Sequence, residues 1–464
     1  MALGTASLLL PSTIAIALLA AGTQGLVAFF IVRSTKRFLS LVSLFVAAWI
    51  ALFTLRMVQI SLGPDPLTNH PVVVAAPRSQ IAFVWLLCTL GLVAFGAGAA
   101  LAKKLVPEGR VYDVHLSRLG TATLYYGCIA AAFLLAIFHV SSGLLINVAQ
   151  LYLFGIAFAS YQSAAKGRPF GMELLATVAA CVLAIQFGAK EYAVLPVAAW
   201  AVGHFAPRRR FLTWGAVAVG MLGVVFYIGV QSQRAATALG DDRQDFLGAT
   251  LYGLRAYDYP TGLRRHKTGI QIPLNALAGI TSRVRGADSL FVFAARIPER
   301  DDFKHGRTLW QPAISILPGA GHFLDLEFPQ LSLGRYFNQT FWSSRPGQDP
   351  SAQAPTVPGD LYLNFGTAGV VVGLVSLGFI YGTIDRRAPV HSATSAGLFA
   401  YAAIQLLSID RNVAYLLVTG AIRYALGLLL IAMLRHAVLH RSRVPRPADG
   451  ARSGPPLQPS PTSF

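Results

Sequence analysis

Long apolar runs, broken at intervals by short basic or Pro/Gly-rich stretches, dominate this chain. A continuous apolar run of about 18 residues or more predicts a membrane-crossing helix. The strands of an outer-membrane barrel would instead alternate in short segments, so a barrel is excluded. The runs fall from the N-terminus to about 32, at about 38–62, 81–101, 119–139, 144–163, 172–187, 192–206 and 211–230, within 354–385, and at about 394–407 and 413–434. The pattern predicts an all-α, polytopic transmembrane bundle of about eleven spans. The N-terminus lacks the basic start of a cleaved signal, so the first run reads as a retained span. Four regions follow: an N-terminal membrane bundle over 1–230, a loop over 231–358, a C-terminal bundle over 359–440, and a proline-rich polar tail over 441–464 that reads as disordered.

The breaks set the expected orientation. Arg33, Lys36 and Arg37 follow the first run, Lys103 and Lys104 the third, Lys166 and Arg168 the fifth, Arg208–Arg210 the seventh, and Arg386 and Arg387 the ninth. The opposite short breaks hold almost no Lys or Arg. By the positive-inside rule the N-terminus is outside and the C-terminus cytoplasmic, in a cytoplasmic membrane. The segment 231–358 then faces the exterior. It is long for a connection without spans, which marks a functional or disordered loop. Its aromatic content, Trp310 and Tyr336 among others, predicts short ordering helices over the membrane surface.

The stretch Ala354–Asp385 joins that loop to the membrane. It begins with helix-breaking prolines and passes through a polar mouth of Gly359, Asp360, Tyr362 and Asn364 before turning apolar. Gly369 and Gly373, then Gly378 and Gly382, are four apart, a spacing that puts each pair on one helix face where a neighbouring helix can approach closely.

Composition agrees with a membrane chain: 54% hydrophobic and 12% charged residues, where a soluble protein has about 25% charged, and a mean hydropathy of +0.55. The net charge of +18 would raise nucleic acid as a partner in a soluble protein. Here the excess sits in short breaks and the tail, so no nucleic acid is expected. Cys88, Cys128 and Cys181 lie within apolar runs and suggest neither disulfides nor a metal set. No nucleotide-phosphate loop, H-E-x-x-H or G-x-S-x-G occurs, which removes ATP-driven transport and metalloprotease chemistry from the leading readings.

Candidate chemistry lies in outer-side arginines and carboxylates. Arg283, Arg307 and Arg345 in the loop could grip phosphate bidentately, and Asp288 or Asp360 could serve as a general base. The bland alternative for a loop arginine is a solvated charge or a local ion pair. Charges at membrane depth are more informative because burying them is costly. Arg56 lies in the second run, Arg423 in the last, and Lys190 and Arg411 at turns between runs. For Lys190 and Arg411 snorkelling to the interface is the competing reading, and for Arg423 an ion pair inside the bundle. If these groups converge on the Asp360 mouth, they form one cationic crevice open to the exterior.

The run PGDLYLNFGTAGVVVGLVSLGFIYG resembles the Pro-Gly-Glu/Asp-Leu-Tyr-Leu-Asn-Phe-Gly entry of the oligosaccharide repeat-unit (O-antigen) polymerases, membrane glycosyltransferases with a GT-C-like fold. Upstream, Arg283 with Asp288-Ser289-Leu290, and Gly306 before an Ile-Leu-Pro stretch, resemble the family's preceding loop. The layout of many spans, one long late outer loop and two further spans is also similar. Two positions depart from the pattern: Lys190 stands where an arginine is common, and Leu317-Pro318-Gly319-Ala320 replaces a Pro-Arg-containing stretch. The resemblance implies a metal-independent transferase, without cofactor, that joins polyprenyl-diphosphate-linked repeat units. A chain-length regulator and a flippase would be partners beside the bilayer. It implies Arg283, Lys190, Arg411 and Arg423 as cations for the departing diphosphate, Asp288 or Asp360 as base, and Tyr362 and Asn364 as orienters of sugar hydroxyls. A ligase of the same fold, or a flippase of the lipid-linked unit, are the competing readings. No internal repeat of the transporter kind is present.

Overall fold

The computed structural model describes residues 10–35, 39–62, 71–109, 111–137, 147–167, 177, 190–207, 286–314, 324, 326, 333–342 and 355–443. Among these residues all regular structure is helical. Five helices are long and apolar enough to cross a membrane, beginning at Ala15, Leu41, Arg78, Val357 and Val413. Four more predicted runs appear as helices of 20, 14, 16 and 14 residues. The sixth run apart from residue 177, the eighth run, the 230/231 boundary and the tail beyond Arg443 lie outside the described residues.

In chain order the helices are α1 (Leu10–Thr35), α2 (Leu41–Trp49), a π turn (Ile50–Thr54), α3 (Leu55–Leu62), α4 (Pro71–Val74), α5 (Arg78–Leu105), α6 (Arg118–Ile137), α7 (Tyr152–Ala165) and α8 (Lys190–Phe205). The described part of the segment 231–358 adds α9 (Asp288–Ala294), α10 (Arg307–Ile314) and α11 (Leu333–Phe337). The chain ends in α12 (Val357–Arg387), α13 (Ala393–Leu406) and α14 (Val413–Arg443). The expected boundary at 358/359 falls inside α12. Its Pro358 sits in the first helical turn, where the missing N–H has no intrahelical partner to lose, so this proline starts the helix instead of preventing it.

α12 and α5 form the tightest helix pair, and glycine is the reason. A Cβ on Gly378 would lie 2.0 Å from the Phe95 carbonyl oxygen, and one on Gly98 would lie 2.0 Å from that of Val375. Small residues let the two backbones touch, as membrane helices without a hydrophobic drive between them require. The Gly203 backbone approaches Ala157 in the same way, joining α8 to α7. Around these pairs α1 packs on α5, α2 on α12 and α13 on α7, and α14 packs in turn on α13. Lipid-facing apolar side chains remain uncovered, Leu18 and Leu19 of α1 at 68% and 75% exposure.

The second glycine pair does something else. At Gly366 the backbone turns to φ 63°, ψ −150° inside α12. A Cβ on Gly369 would lie 2.5 Å from the Leu361 carbonyl oxygen, and one on Gly373 would meet the Leu361 side chain at 2.4 Å. Residues 361 and 373 would stand about 18 Å apart in a straight helix. The segment 357–365 is therefore folded back against the start of the spanning part, and the chain reverses at Gly366. That φ/ψ region is essentially open to glycine alone, and the site is further closed by the Phe303 ring, 3.2 Å from a would-be Cβ. Gly366→Ala is expected to cost about 1–3 kcal/mol, read as a lowered unfolding temperature of the detergent-purified protein.

The basic breaks after the first, third and ninth runs meet at one end of the bundle. Lys103 Nζ donates to the Ser34 carbonyl at 3.0 Å, and the Gly109 N–H donates to that of Arg386 at 2.9 Å. Asp385 caps α2 by accepting the Leu41 and Val42 N–H groups at 2.7 and 3.0 Å, an anion at a helix N-terminus. α9, α10 and the start of α12 sit at the opposite end.

Candidate functional site

Three buried polar clusters occupy that opposite half. In the first, Arg56, the second residue of α3 and two positions after the π turn, meets Asp288, the first residue of α9. Nε donates to Oδ1 at 2.8 Å and Nη2 to Oδ2 at 2.7 Å, with side chains 2% and 0% exposed. Nη1 donates to Gln59 Oε1 at 2.9 Å. The approach is possible because Gly286 lies directly on the π turn, where a Cβ would stand 2.9 Å from the Leu52 carbonyl oxygen. Gln80 of α5 anchors the other end of α9 by donating to the Phe291 carbonyl at 2.7 Å. Bidentate geometry and burial make the pair a fixed link between an apolar, membrane-length helix and the segment that carries α9.

The second cluster is built on the folded-back turn of α12. Asp360 is fully buried. Its Oδ1 accepts the Thr308 hydroxyl at 2.6 Å, and its Oδ2 accepts the Val413 N–H at 3.0 Å. Asn364, one helical turn on, donates from Nδ2 to Thr308 Oγ1 at 2.5 Å and to the Asp360 carbonyl at 2.7 Å, while its Oδ1 accepts the Gly306 N–H at 2.8 Å. The Lys304 and His305 N–H groups donate to the Leu363 and Asn364 carbonyls at 3.1 and 3.2 Å. The carbonyls freed by the reversal at Gly366 are thus used to hold the chain before α10. Asp360 and Asn364 clasp three elements together: the turn of α12, the start of α10 and the start of α14.

Thr356 connects the two clusters. Its hydroxyl lies 2.8 Å from that of Ser289, and its carbonyl accepts the Asp360 N–H at 2.8 Å.

In the third cluster Arg423, 3% exposed on α14, donates from Nε to Asn147 Oδ1 at 2.8 Å and lies over the Tyr401 ring at 5.9 Å. Tyr401 donates its hydroxyl to the Asn147 carbonyl at 2.6 Å. One helical turn along, Gln150 and Gln405 are also buried, and among the described residues Gln150 Oε1 and Gln405 Nε2 have no hydrogen-bond partner.

The expected open mouth is corrected by this geometry. Asp360, Tyr362 and Asn364 are buried beneath the loop, and among the described residues no cation pairs with Asp360. Arg56 is taken up by Asp288 and Arg423 by the Asn147 side of the bundle. Tyr362 packs edge-on to Phe83, with ring centroids 6.1 Å apart. Arg307 is exposed at the head of α10, immediately before the buried Thr308, and Arg411 is half-exposed just before α14, over the Tyr415 ring at 5.5 Å. α10 and α14 pack together, so the clasp holds the two segments that present these arginines. Lys190 opens α8; Arg283 and Arg345 lie outside the described residues. Thr308, Gln59, Asn147 and Tyr401 complete the clusters without having stood out in the sequence. Hydroxyl and amide side chains are common in loops and at helix ends, and only their contacts distinguish them.

Among the described residues no group of three or more His, Cys, Asp or Glu side chains could hold a metal ion. No protein family, curated protein or solved structure matches the chain.

Proposed function

We propose that this chain is a membrane glycosyltransferase that joins polyprenyl-diphosphate-linked oligosaccharide units at the outer face of the cytoplasmic membrane. The observation that carries the reading is the clasp. The very residues of the Pro-Gly-Asp-Leu-Tyr-Leu-Asn-Phe-Gly segment fold back and fix two exterior segments, each bearing an accessible arginine. In such a reaction an acceptor hydroxyl attacks the anomeric carbon of the donor, the bond to the diphosphate oxygen breaks, and a base takes the hydroxyl proton. The departing polyprenyl diphosphate carries the negative charge that Arg307 and Arg411 are placed to receive, with Arg283, Arg345 and Lys190 as further cations. Asp360 and Asn364 position these segments, and Arg56 with Asp288 ties the same loop to the membrane. The buried amides of Gln150 and Gln405, beside Arg423, offer a donor and an acceptor suited to sugar hydroxyls.

The test is reconstitution of the purified protein with lipid-diphosphate-linked repeat units. A ladder of products is expected. A single transfer to an added surface acceptor with no ladder would indicate a ligase, and movement of the unit across the bilayer without bond formation a flippase. Arg307→Ala and Arg411→Ala should each slow ladder formation roughly 10–100-fold, the equivalent of a lost charge-assisted hydrogen bond. Neither side chain is buried, so both variants should keep wild-type unfolding temperatures. Unchanged rates in both would remove the clasp-borne arginines from the reaction.

A further inference from the structure

A groove of about 540 Å³ lies at the basic end of the bundle, remote from the clasp. That size is within the range of sites for small molecules. Three segments form it: the strap at Val111 and Tyr112, the end of α12 at Arg387, and one face of α14. Tyr424, Leu428 and Ile431 fall on that face at helical spacing and make an apolar floor. Arg387, Arg435 and His436 stand at its rim, and among the described residues no acidic side chain lines it.

The walls are built, not incidental. The strap is pinned by the Gly109 N–H on the Arg386 carbonyl, by Arg386 Nε on the Val106 carbonyl, and by the Val114 N–H on Thr394 Oγ1 at 2.9 Å. Tyr112 supplies a ring face on which the Arg435 guanidinium lies 4.4 Å from the centroid, so the two side chains meet at the groove wall. The acids of the strap are engaged elsewhere: Glu108 lies 3.6 Å from Arg386 Nη1, and Asp113 accepts from Thr394 Oγ1 at 3.2 Å. The Arg387 and Arg435 guanidinium groups thus stand beside an apolar channel at the level where membrane helices end.

We propose that this groove binds one anionic phospholipid, its phosphate between Arg387 and Arg435 and its acyl chains along Tyr424, Leu428 and Ile431. Basic pockets between spanning helices at the positively charged membrane face suit such headgroups, and the apolar floor favours a lipid over a free anion. The site stands independently of the reaction proposed above.

Native mass spectrometry of the purified chain, titrated with an anionic phospholipid such as phosphatidylglycerol, tests it. The wild type should retain one lipid and should not retain phosphatidylcholine. Arg387→Ala and Arg435→Ala should each weaken binding about fivefold, whereas Lys104→Gln, at the same end but outside the groove, should leave it unchanged. Ala432→Trp keeps every charge and fills the groove wall, so it should also expel the lipid. Equal retention by the arginine variants, equal loss in Lys104→Gln, retention by Ala432→Trp, or displacement by millimolar inorganic phosphate would each overturn the proposal.

Discussion

Arg56→Ala is expected to remove most of the folded protein from the membrane. The substitution leaves Asp288, 0% exposed, as a buried carboxylate without its cation, and breaking one side of such a pair costs about 3–5 kcal/mol. A domain's whole stability is about 5–15 kcal/mol, so the loss should appear as a collapsed monodisperse peak in size-exclusion chromatography. Asp288→Ala should be as damaging, because it strands the guanidinium. The informative variant is the apolar double, Arg56→Met with Asp288→Leu. Replacing both partners by residues of similar volume removes two desolvation costs together and is often neutral or stabilising. The double is therefore expected to regain the peak that each single loses. If the pair only ties α9 to α3, the rescued protein should also build product ladders. A double that folds like wild type and yields no product would instead put Asp288 or Arg56 in contact with substrate.

The membrane character, the helix class and the close helix contact at Gly378 and Gly382 were legible because each follows from composition or from short-range periodicity. A glycine every four residues exposes backbone on one face, and α5 occupies it. The same spacing at Gly369 and Gly373 could not reveal its partner. That partner is Leu361 of the same segment, brought back by a reversal at Gly366 that no hydropathy pattern encodes. Arg56 and Arg423 stand out in the sequence because apolar surroundings tax any charge. Their partners do not, because Asp288 is 232 positions from Arg56 and Asn147 is 276 from Arg423. The lesson for Asp360 is sharper. A carboxylate beside a membrane entry reads as a group facing water, yet Thr308, Asn364 and the Val413 N–H supply the hydrogen bonds that water would have made.

That substitution of protein donors for water makes Asp360 the second decisive position. Asp360→Ala removes the acceptor of two buried donors, the Thr308 hydroxyl and the Val413 N–H, and each unsatisfied donor costs about 1–3 kcal/mol. Asp360→Asn preserves the shape but turns an NH₂ toward one of those donors, so it should retain only part of the stability. Unfolding temperatures should therefore fall in the order wild type, Asp360→Asn, Asp360→Ala. Thr308→Val removes one donor and should lose less on the Asp360→Ala background than alone, the non-additivity expected of residues in one network. The same series separates a positioning group from a base. If Asp360 positions α10 and α14, its Asn variant should lose polymerisation in step with stability, and the remaining activity should keep the pH profile of the wild type. If Asp360 takes the acceptor proton, Asp360→Asn should stay folded below its unfolding temperature and be inactive at every pH. The burial of both oxygens among protein donors favours the first outcome, because a carboxylate that accepts a substrate proton must first present an oxygen to that substrate.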